Sequence, residues 1–410
     1  MADTTARTSR HEVVVVGAGP VGLTAALAAR ARGLPVTVLE AGPEGRGRPG
    51  SRAIYYHRQT LEHWGSISEG LGWEIVGHGT TWSAKQTYWR GRLVYDKTYP
   101  PGDPSVLPPF TSLAQVETER LLLDACKAAG VELAWGNEIV GVESTSSGVR
   151  LRTAAGDAVD ARYVIAADGA RSAVRAALGI EMSGSRSENH FVIVDIAEDA
   201  DQPLTPARIF HYEHPAVERR NVLLVPFAGG WRADLQCRRS DDPAHFNDDD
   251  GVRRWVGQVL PDRYADRVTW VSTYQFLQVV ADRFADEHRR VLLVGEAAHL
   301  FAPFGARGLN SGVPDAIAAA GAIATACGST DVSTARAAID AFAATRRTAA
   351  EYNRDAAGIA LRHMQARGPG IRMKRFFAAQ LARGSERAGK WLDSAPYGPR
   401  ARDRKSEAIY

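Results

Sequence analysis

The stretch Glu12 to Glu40, EVVVVGAGPVGLTAALAARARGLPVTVLE, decides the fold. Val13 to Val16 is a short apolar run that suits a buried parallel strand. Gly17, Gly19 and Gly22 follow at G-x-G-x-x-G spacing, and an alanine-rich helix then runs to near Gly33. Each glycine has its own physical reason. Gly17 permits the tight turn, Gly19 lets backbone approach a pyrophosphate, and Gly22 lets the helix pack on the strand, while the helix N-terminus offers unpaired N–H groups to an anion. Pro35 to Leu39 is a second apolar strand. Glu40 closes it about 20 residues after the glycines, where a carboxylate accepts hydrogen bonds from an adenosine ribose. A lone glycine pattern is weak, but strand, helix and terminal acid together predict a dinucleotide-binding unit rather than a chance glycine turn.

Two further segments end in the same way. In Val291 to Asp315, VLLVGEAAHLFAPFGARGLNSGVPD, an apolar strand runs into Gly295, Glu296 and a short helix, then into a loop holding Gly305, Gly308, Leu309, Asn310 and Gly312. A helix expected to open near Ser311 would turn further free N–H groups toward an anion or a polar ring edge. Between the two, RYVIAADGARSAVR (Arg162 to Arg175) is again an apolar strand, ending in Asp168-Gly169 before an arginine-rich helix. Three strand exits with glycine at the turn argue for one large ligand held at one edge of a sheet.

In this order and spacing the motifs resemble those of the class A flavoprotein monooxygenases, the family of para-hydroxybenzoate hydroxylase and its aromatic hydroxylase relatives. The resemblance runs from about Val13 to the helix after Asp315. SRAIYYHRQTLEHWG (Ser51 to Gly65) resembles the family segment with an FAD-contacting arginine, here Arg52, and AQVETERLLLDAC (Ala114 to Cys126) the helix whose leading glutamine, Gln115, lies beside the flavin chain. It implies noncovalent FAD held by Gly17, Gly19, Gly22, Glu40, Arg52, Gln115, Asp168, Gly169, Gly295, Glu296, Gly308, Leu309 and Asn310. It further implies O2 and NADH or NADPH as co-substrates, a flavin C4a-hydroperoxide, and transfer of its distal oxygen to an electron-rich, phenol-like ring in an apolar, water-excluding site.

Pro303, in Ala302 to Gly305, resembles the proline beside the hydroperoxide. The expected catalytic set is Pro303, Arg307, His211 and Tyr55; Tyr56, Tyr212, Gln236 and Tyr274 are further candidates for the pocket wall, and His211 or a tyrosine relay would take the phenol proton. For these aromatic and histidine positions a buried core role is the competing reading. Two departures stand out. Gly295-Glu296 replaces the usual Gly-Asp, so the carboxylate is one methylene longer. Gly305-Ala306-Arg307-Gly308 replaces Gly-Gly-Gln-Gly, and Arg307 then either sets a positive charge beside the isoalloxazine or is a solvated loop arginine. The rival functions are a flavin epoxidase or Baeyer–Villiger-type oxygenase of a polycyclic natural product, and a non-catalytic flavin-binding protein. NADH versus NADPH stays open: Arg46 and Arg48 can meet a 2'-phosphate or simply belong to a loop.

Composition agrees. The 410 residues exceed one core of ordinary size, and a net charge of +3 calls for no nucleic acid partner. No apolar run reaches membrane-spanning length, and Met1 to Arg10 has no signal-peptide core. Cys126, Cys237 and Cys327 are scattered and odd in number, which speaks for a reducing cytoplasm and against a disulfide or zinc framework. The 11 histidines are dispersed, so no metal site is expected. GSERAGK (Gly384 to Lys390) has P-loop spacing, but Trp391 stands where Ser or Thr must hold magnesium. A homodimer is compatible with all of this.

The expected architecture is α/β. A discontinuous Rossmann-like FAD-binding domain (11–180 and 281–330) carries an inserted, mostly antiparallel substrate domain (181–280) with a Gly229-Gly230 hairpin. C-terminal helices with a basic tail (331–410) follow.

Overall fold

The computed structural model describes residues 9–45, 47, 49–187, 189–366 and 368–399; Arg46, Arg48 and the end of the basic tail lie outside them. The valine run forms the strand Ser9–Val16, parallel both to Val36–Glu40 and to Ala158–Ala166. Glu132–Trp135 extends one side, and Val291–Leu293 pairs in parallel with the last residues of Ala158–Ala166. A hairpin, Ile139–Thr145 with Gly148–Thr153, pairs antiparallel with the first residues of that strand. Val13, Val14, Val15, Val164, Ile165 and Leu292 are wholly buried, as expected of parallel strands covered on both faces. The helices Pro20–Arg30 and Arg307–Gly328 meet over the nucleotide edge, because Gly312 lies so close to Val21 that a Cβ would stand 2.6 Å from Val21 Cγ2. The second helix therefore opens four residues before Ser311. Gly312, which resembles a loop glycine in sequence, serves close helix packing instead.

The second sheet has the order Val268–Tyr274, Phe191–Ala197, Gly230–Gln236, Arg220–Phe227, Ala207–His214, Ala84–Trp89, Arg92–Thr98. All its pairs are antiparallel except Ala207–His214 with Ala84–Trp89. The Gly229-Gly230 turn is present, with Gly229 at φ +87°. The last two strands in this order come from within 11–180, so the sheet is assembled from two separate stretches of chain.

Alternation gives the sheet two different faces. Val192, Val194, Ile196, Val222, Leu224, Trp231, Ala233 and Leu235 pack on Val252, Trp255 and Val256 of the helix Asp249–Val259, each aliphatic side chain contributing about 1.5–3 kcal/mol by burial. Phe191, Phe210 and Tyr212 face the other way, against Ala302 and Phe304 of the first domain and Ala357, Leu361 and Leu392 of the C-terminal helices. Those helices are Val332–Gln365, Pro369–Leu381 and Glu386–Ser394.

Candidate functional site

Gly17, Glu40, Asp168 and Gly295 lie at or just after the C-terminal ends of neighbouring parallel strands, so they share one edge of the first sheet. Gly17 sits at φ +103°, its N–H donating to Leu39 O at 2.8 Å, and a Cβ there would come within 2.5 Å of Ala167 O. A Cβ on Gly22 would come within 1.9 Å of the Gly17 carbonyl. Gly19 is the N-cap of the helix Pro20–Arg30, and no side chain caps that N-terminus, which leaves its first N–H groups to a ligand. Buried Glu40 accepts from Ala18 N at 2.7 Å through Oε2 and from Gly42 N at 2.9 Å through Oε1. A carboxylate is acceptor-only, the chemistry a ligand hydroxyl needs. Asp168 Oδ2 accepts from Val174 N at 3.0 Å, while its Oδ1 is a buried acceptor with no donor. Gly169 at φ +80° turns the chain away, and Glu296 stands exposed on the single turn after Gly295. A cradle closed to any Cβ, an uncapped helix and an orphaned acceptor fit a dinucleotide.

A second wall comes from the segment beginning at Ser51. Ser51 N and Oγ donate to the two carboxylate oxygens of Asp195 at 2.5 and 2.6 Å, and Arg232 donates through Nη1 to the Arg52 carbonyl. Burial pushes the Asp195 carboxyl up, against the Ser51 hydrogen bonds and the Arg232 charge, which pull it down. Arg52 itself is exposed and held at φ +50°, a left-handed conformation costing about 1–2 kcal/mol. Gln115 braces the same segment: its N–H donates to Ser51 O at 2.9 Å and its Oε1 accepts from Ala53 N at 3.3 Å. Sequence reasoning did not single out Asp195 or Arg232. The readable signal was the alternation in WRADLQ, which sets Arg232, Asp234 and Gln236 on one face of a strand whose other face is apolar.

The Pro303 loop lies between these walls. Ala306 N donates to Pro303 O at 2.9 Å, with Gly305 at φ +82° and Ala306 at φ +55°. Asn310 acts as a bracket: Nδ2 donates to Tyr55 O at 2.8 Å and Ala306 O at 2.6 Å, and Oδ1 accepts from His57 N at 3.0 Å and Thr60 Oγ1 at 2.6 Å. With its side chain so engaged, this turn offers a ligand the backbone N–H groups of Gly308 and Leu309. Tyr55 stacks on Phe110 with ring centroids 4.6 Å apart, and Phe304 meets Phe191 at 5.6 Å and Phe276 at 6.1 Å. Phe304 of the loop thus meets rings of and just beyond the second sheet, while Tyr55 and Phe110 stack on a separate two-stranded ladder, Tyr55–His57 with Phe110–Ser112, which Asn310 ties to the loop. Behind it, buried Asp315 accepts from His299 Nε2 and Arg346 Nε, both at 2.6 Å, and from Gly295 N at 3.2 Å. A carboxylate only accepts, so the His299 proton is on Nε2. Burial alone would raise the Asp315 carboxyl, but Arg346 and His299 outweigh it and hold it below the ordinary range.

Arg307 and His211 have surroundings the sequence does not show. Arg307 is not a solvated loop residue. It is buried, with Nη1 donating to Asn353 Oδ1 at 2.7 Å and Nη2 to the carbonyls of Pro399 at 2.6 Å and Tyr397 at 3.3 Å, so it ties the loop to the C-terminal helices. His211 lies on the opposite face of its strand from Phe210 and Tyr212. Its neighbours Phe210 and Tyr212 point toward the first domain and the C-terminal helices, which sends His211 outward onto Tyr88, with ring centroids 4.7 Å apart, and His214 at 4.6 Å. Burial, with His214 beside it, pushes its pKa down to about 3, so it is neutral and faces away from the loop.

Among the described residues no cluster of His, Cys, Asp or Glu is able to hold a metal, and no helix is long and apolar enough to cross a membrane. The FAD binding domain family matches residues 10–357. The 6-methylpretetramide 4-monooxygenase of Streptomyces rimosus is 30% identical over 320 residues, which cover 74% of this chain and 54% of that protein. The 3-(3-hydroxy-phenyl)propionate/3-hydroxycinnamic acid hydroxylase 2 of Burkholderia vietnamiensis is 30% identical over 318 residues, covering 75% and 55%. This chain thus spans little more than half the length of these two relatives. The p-nitrophenol 4-monooxygenase of Pseudomonas putida shares the fold with a TM-score of 0.74 at 23% identity, over 96% of this chain and 100% of that one. With the glycine cradle, the Glu40 acceptor and this match over most of its length, the chain belongs to the FAD-binding family of class A flavoprotein monooxygenases.

Proposed function

We propose that the protein is an NAD(P)H- and O2-consuming monooxygenase that hydroxylates a phenol-like aromatic substrate. The observation that carries this reading is the Pro303 loop, which is held beside the nucleotide edge and flanked by aromatic rings, Tyr55 and Phe110 on one side and Phe191 and Phe276 on the other. Bound FAD supplies the redox and oxygen chemistry. In this reading Gly17, Gly19, Gly22, Glu40, Asp168, Gly169, Gly295 and Glu296 hold its nucleotide half. Arg52, Gln115 and the N–H groups of Gly308 and Leu309 hold the ring end, with Asn310 setting that turn. Pro303 shapes the space over the ring, the aromatic rings exclude water, and Tyr55 orients the substrate. Asp195 and Arg232 act one step back, by holding the backbone of Ser51 and Arg52. Relatives acting on hydroxylated rings, such as the hydroxyphenylpropionate hydroxylase, favour a phenol.

The test feeds a panel of hydroxyarenes to FAD-loaded protein and follows oxygen uptake, NADH or NADPH oxidation and products by mass. A product heavier by one oxygen, formed with substrate-stimulated oxygen uptake, is expected. Oxygen inserted beside a carbonyl or across a double bond would replace this reading with the Baeyer–Villiger or epoxidase one. No stimulated uptake with any compound and either reductant would leave a flavin-binding protein.

A further inference from the structure

At one end of the second sheet a cleft of about 670 Å3 opens between the strand ends at Asn221 and Gln236 and the helices Val332–Gln365 and Pro369–Leu381. It is separate from the nucleotide cradle and uses none of its residues. Among the described residues six arginines line it, Arg219, Arg220, Arg238, Arg239, Arg372 and Arg375, and Glu213 is the one carboxylate. Arg220 is satisfied by Asp241, at 2.8 and 2.9 Å, and by Glu218 at 3.2 Å. The guanidiniums of Arg219, Arg238 and Arg372 form no salt bridge among the described residues; Arg372 Nε donates to Ala366 O at 2.7 Å, and Arg238 Nη2 to the Glu218 carbonyl.

Arg375 is the decisive residue. It is 2% exposed, yet its Nε has no hydrogen-bond partner. Its nearest carboxylate, Glu213 Oε1, is 3.7 Å away, and the other oxygen of Glu213 is bound to Arg90 at 2.8 Å. Its Nη1 reaches the His363 carbonyl only at 3.4 Å, and the guanidinium lies over the rings of Tyr212 at 4.6 Å and Trp89 at 5.4 Å. A buried cation with incomplete hydrogen bonding is costly to keep, and more so beside further cations. The backbone is strained here as well: Glu213, Glu218 and Arg219 hold φ of +50°, +51° and +61° in the hairpin that carries Arg219 and Arg220 to the rim. Surplus positive charge and an orphaned buried donor lack the same thing, a group that accepts forked N–H bonds and carries negative charge.

We propose that this cleft binds a small molecule through an oxyanion, a phosphate or a carboxylate. The volume suits a drug-sized or nucleotide-sized ligand. In the proposed reaction such a group has two sources, the phosphates of the nicotinamide co-substrate and a carboxylate on the aromatic substrate.

The experiment titrates FAD-loaded protein with inorganic pyrophosphate by calorimetry at fixed ionic strength, with intrinsic tryptophan fluorescence as a second signal. Saturable one-site binding is expected. Arg219→Gln and Arg372→Gln, both exposed and unneeded by the core, should each weaken it by about ten- to a hundredfold with FAD content and melting unchanged. No saturable binding, or binding equal in parent and both variants, overturns the proposal. Equal weakening by Lys127→Gln, a surface cation remote from the cleft, also overturns it, since the attraction would then be nonspecific. Competition assigns the source: displacement by NADPH but not NADH points to the 2'-phosphate, and displacement by a hydroxyaryl carboxylate points to the substrate. These are binding readouts, so they stand or fall separately from hydroxylation.

Discussion

Replacing Asp315 tests the packing behind the Pro303 loop. The carboxylate is wholly buried and is the acceptor for His299, Arg346 and the Gly295 amide. Asp315→Asn keeps the size but leaves the buried Arg346 without its counter-charge and sets an amide N–H against a donor. Breaking such a pair by removing one partner costs about 3–5 kcal/mol. That is a large share of the roughly 5–15 kcal/mol by which a folded domain is stable. Because the partners sit just before Glu296, at the start of the loop and on the long C-terminal helix, FAD affinity should fall with stability. Urea midpoints at neutral pH and FAD titration read the two effects.

The pH dependence gives a second, signed reading of the same residue. The folded-state pKa of Asp315 lies below its ordinary value. Its contribution is therefore complete above about pH 4 and is lost as pH falls through the depressed folded value. The gap in urea midpoint between parent and Asp315→Asn should be constant near neutrality and close in acid. A midpoint shift worth under about 1 kcal/mol in both Asp315→Asn and Asp315→Ala would refute the reasoning, as would a gap that widens in acid.

Glu40→Ala should lower FAD affinity by about ten- to a hundredfold or more in a fluorescence titration, since each charge-assisted hydrogen bond it makes is worth roughly 1.5–3 kcal/mol. Ala306→Gly should raise stability by up to about 1 kcal/mol in urea, because Ala306 holds φ +55° where glycine has no strain; a loss of stability would count against the left-handed turn. His211→Phe should leave FAD affinity and the ratio of product to NAD(P)H consumed as in the parent; a fall in that ratio would return His211 to the reacting face.

What the sequence revealed was local. The glycine spacing, the acid ending the second strand and the apolar runs are set within about 30 residues, and together they specify a dinucleotide-binding βαβ unit. The side of a strand is a different matter. Along Ala207–His214 the two faces are both covered, so Phe210 and Tyr212 on one and Ile209 and His211 on the other carry no mark of which looks toward the cofactor. Membership of the second sheet by Ala84–Trp89 and Arg92–Thr98 was equally hidden, because it depends on pairing with a strand more than a hundred residues later.

Arg307 shows why the loop itself was hardest to read. Its partners, Asn353 and the carbonyls of Tyr397 and Pro399, come from the C-terminal region. Its neighbours in the loop are held elsewhere: Asn310 grips the backbone of Tyr55 and His57, His57 Nε2 lies 3.2 Å from Gly305 O, and Phe304 meets Phe191 and Phe276. Three regions of the chain thus converge on a short turn that includes a strained Ala306. The buried Arg307 charge holds that turn in place. This is what preorganisation requires, since a loop that positions a reacting ring to a fraction of an ångström must be set by contacts on every side before the substrate arrives.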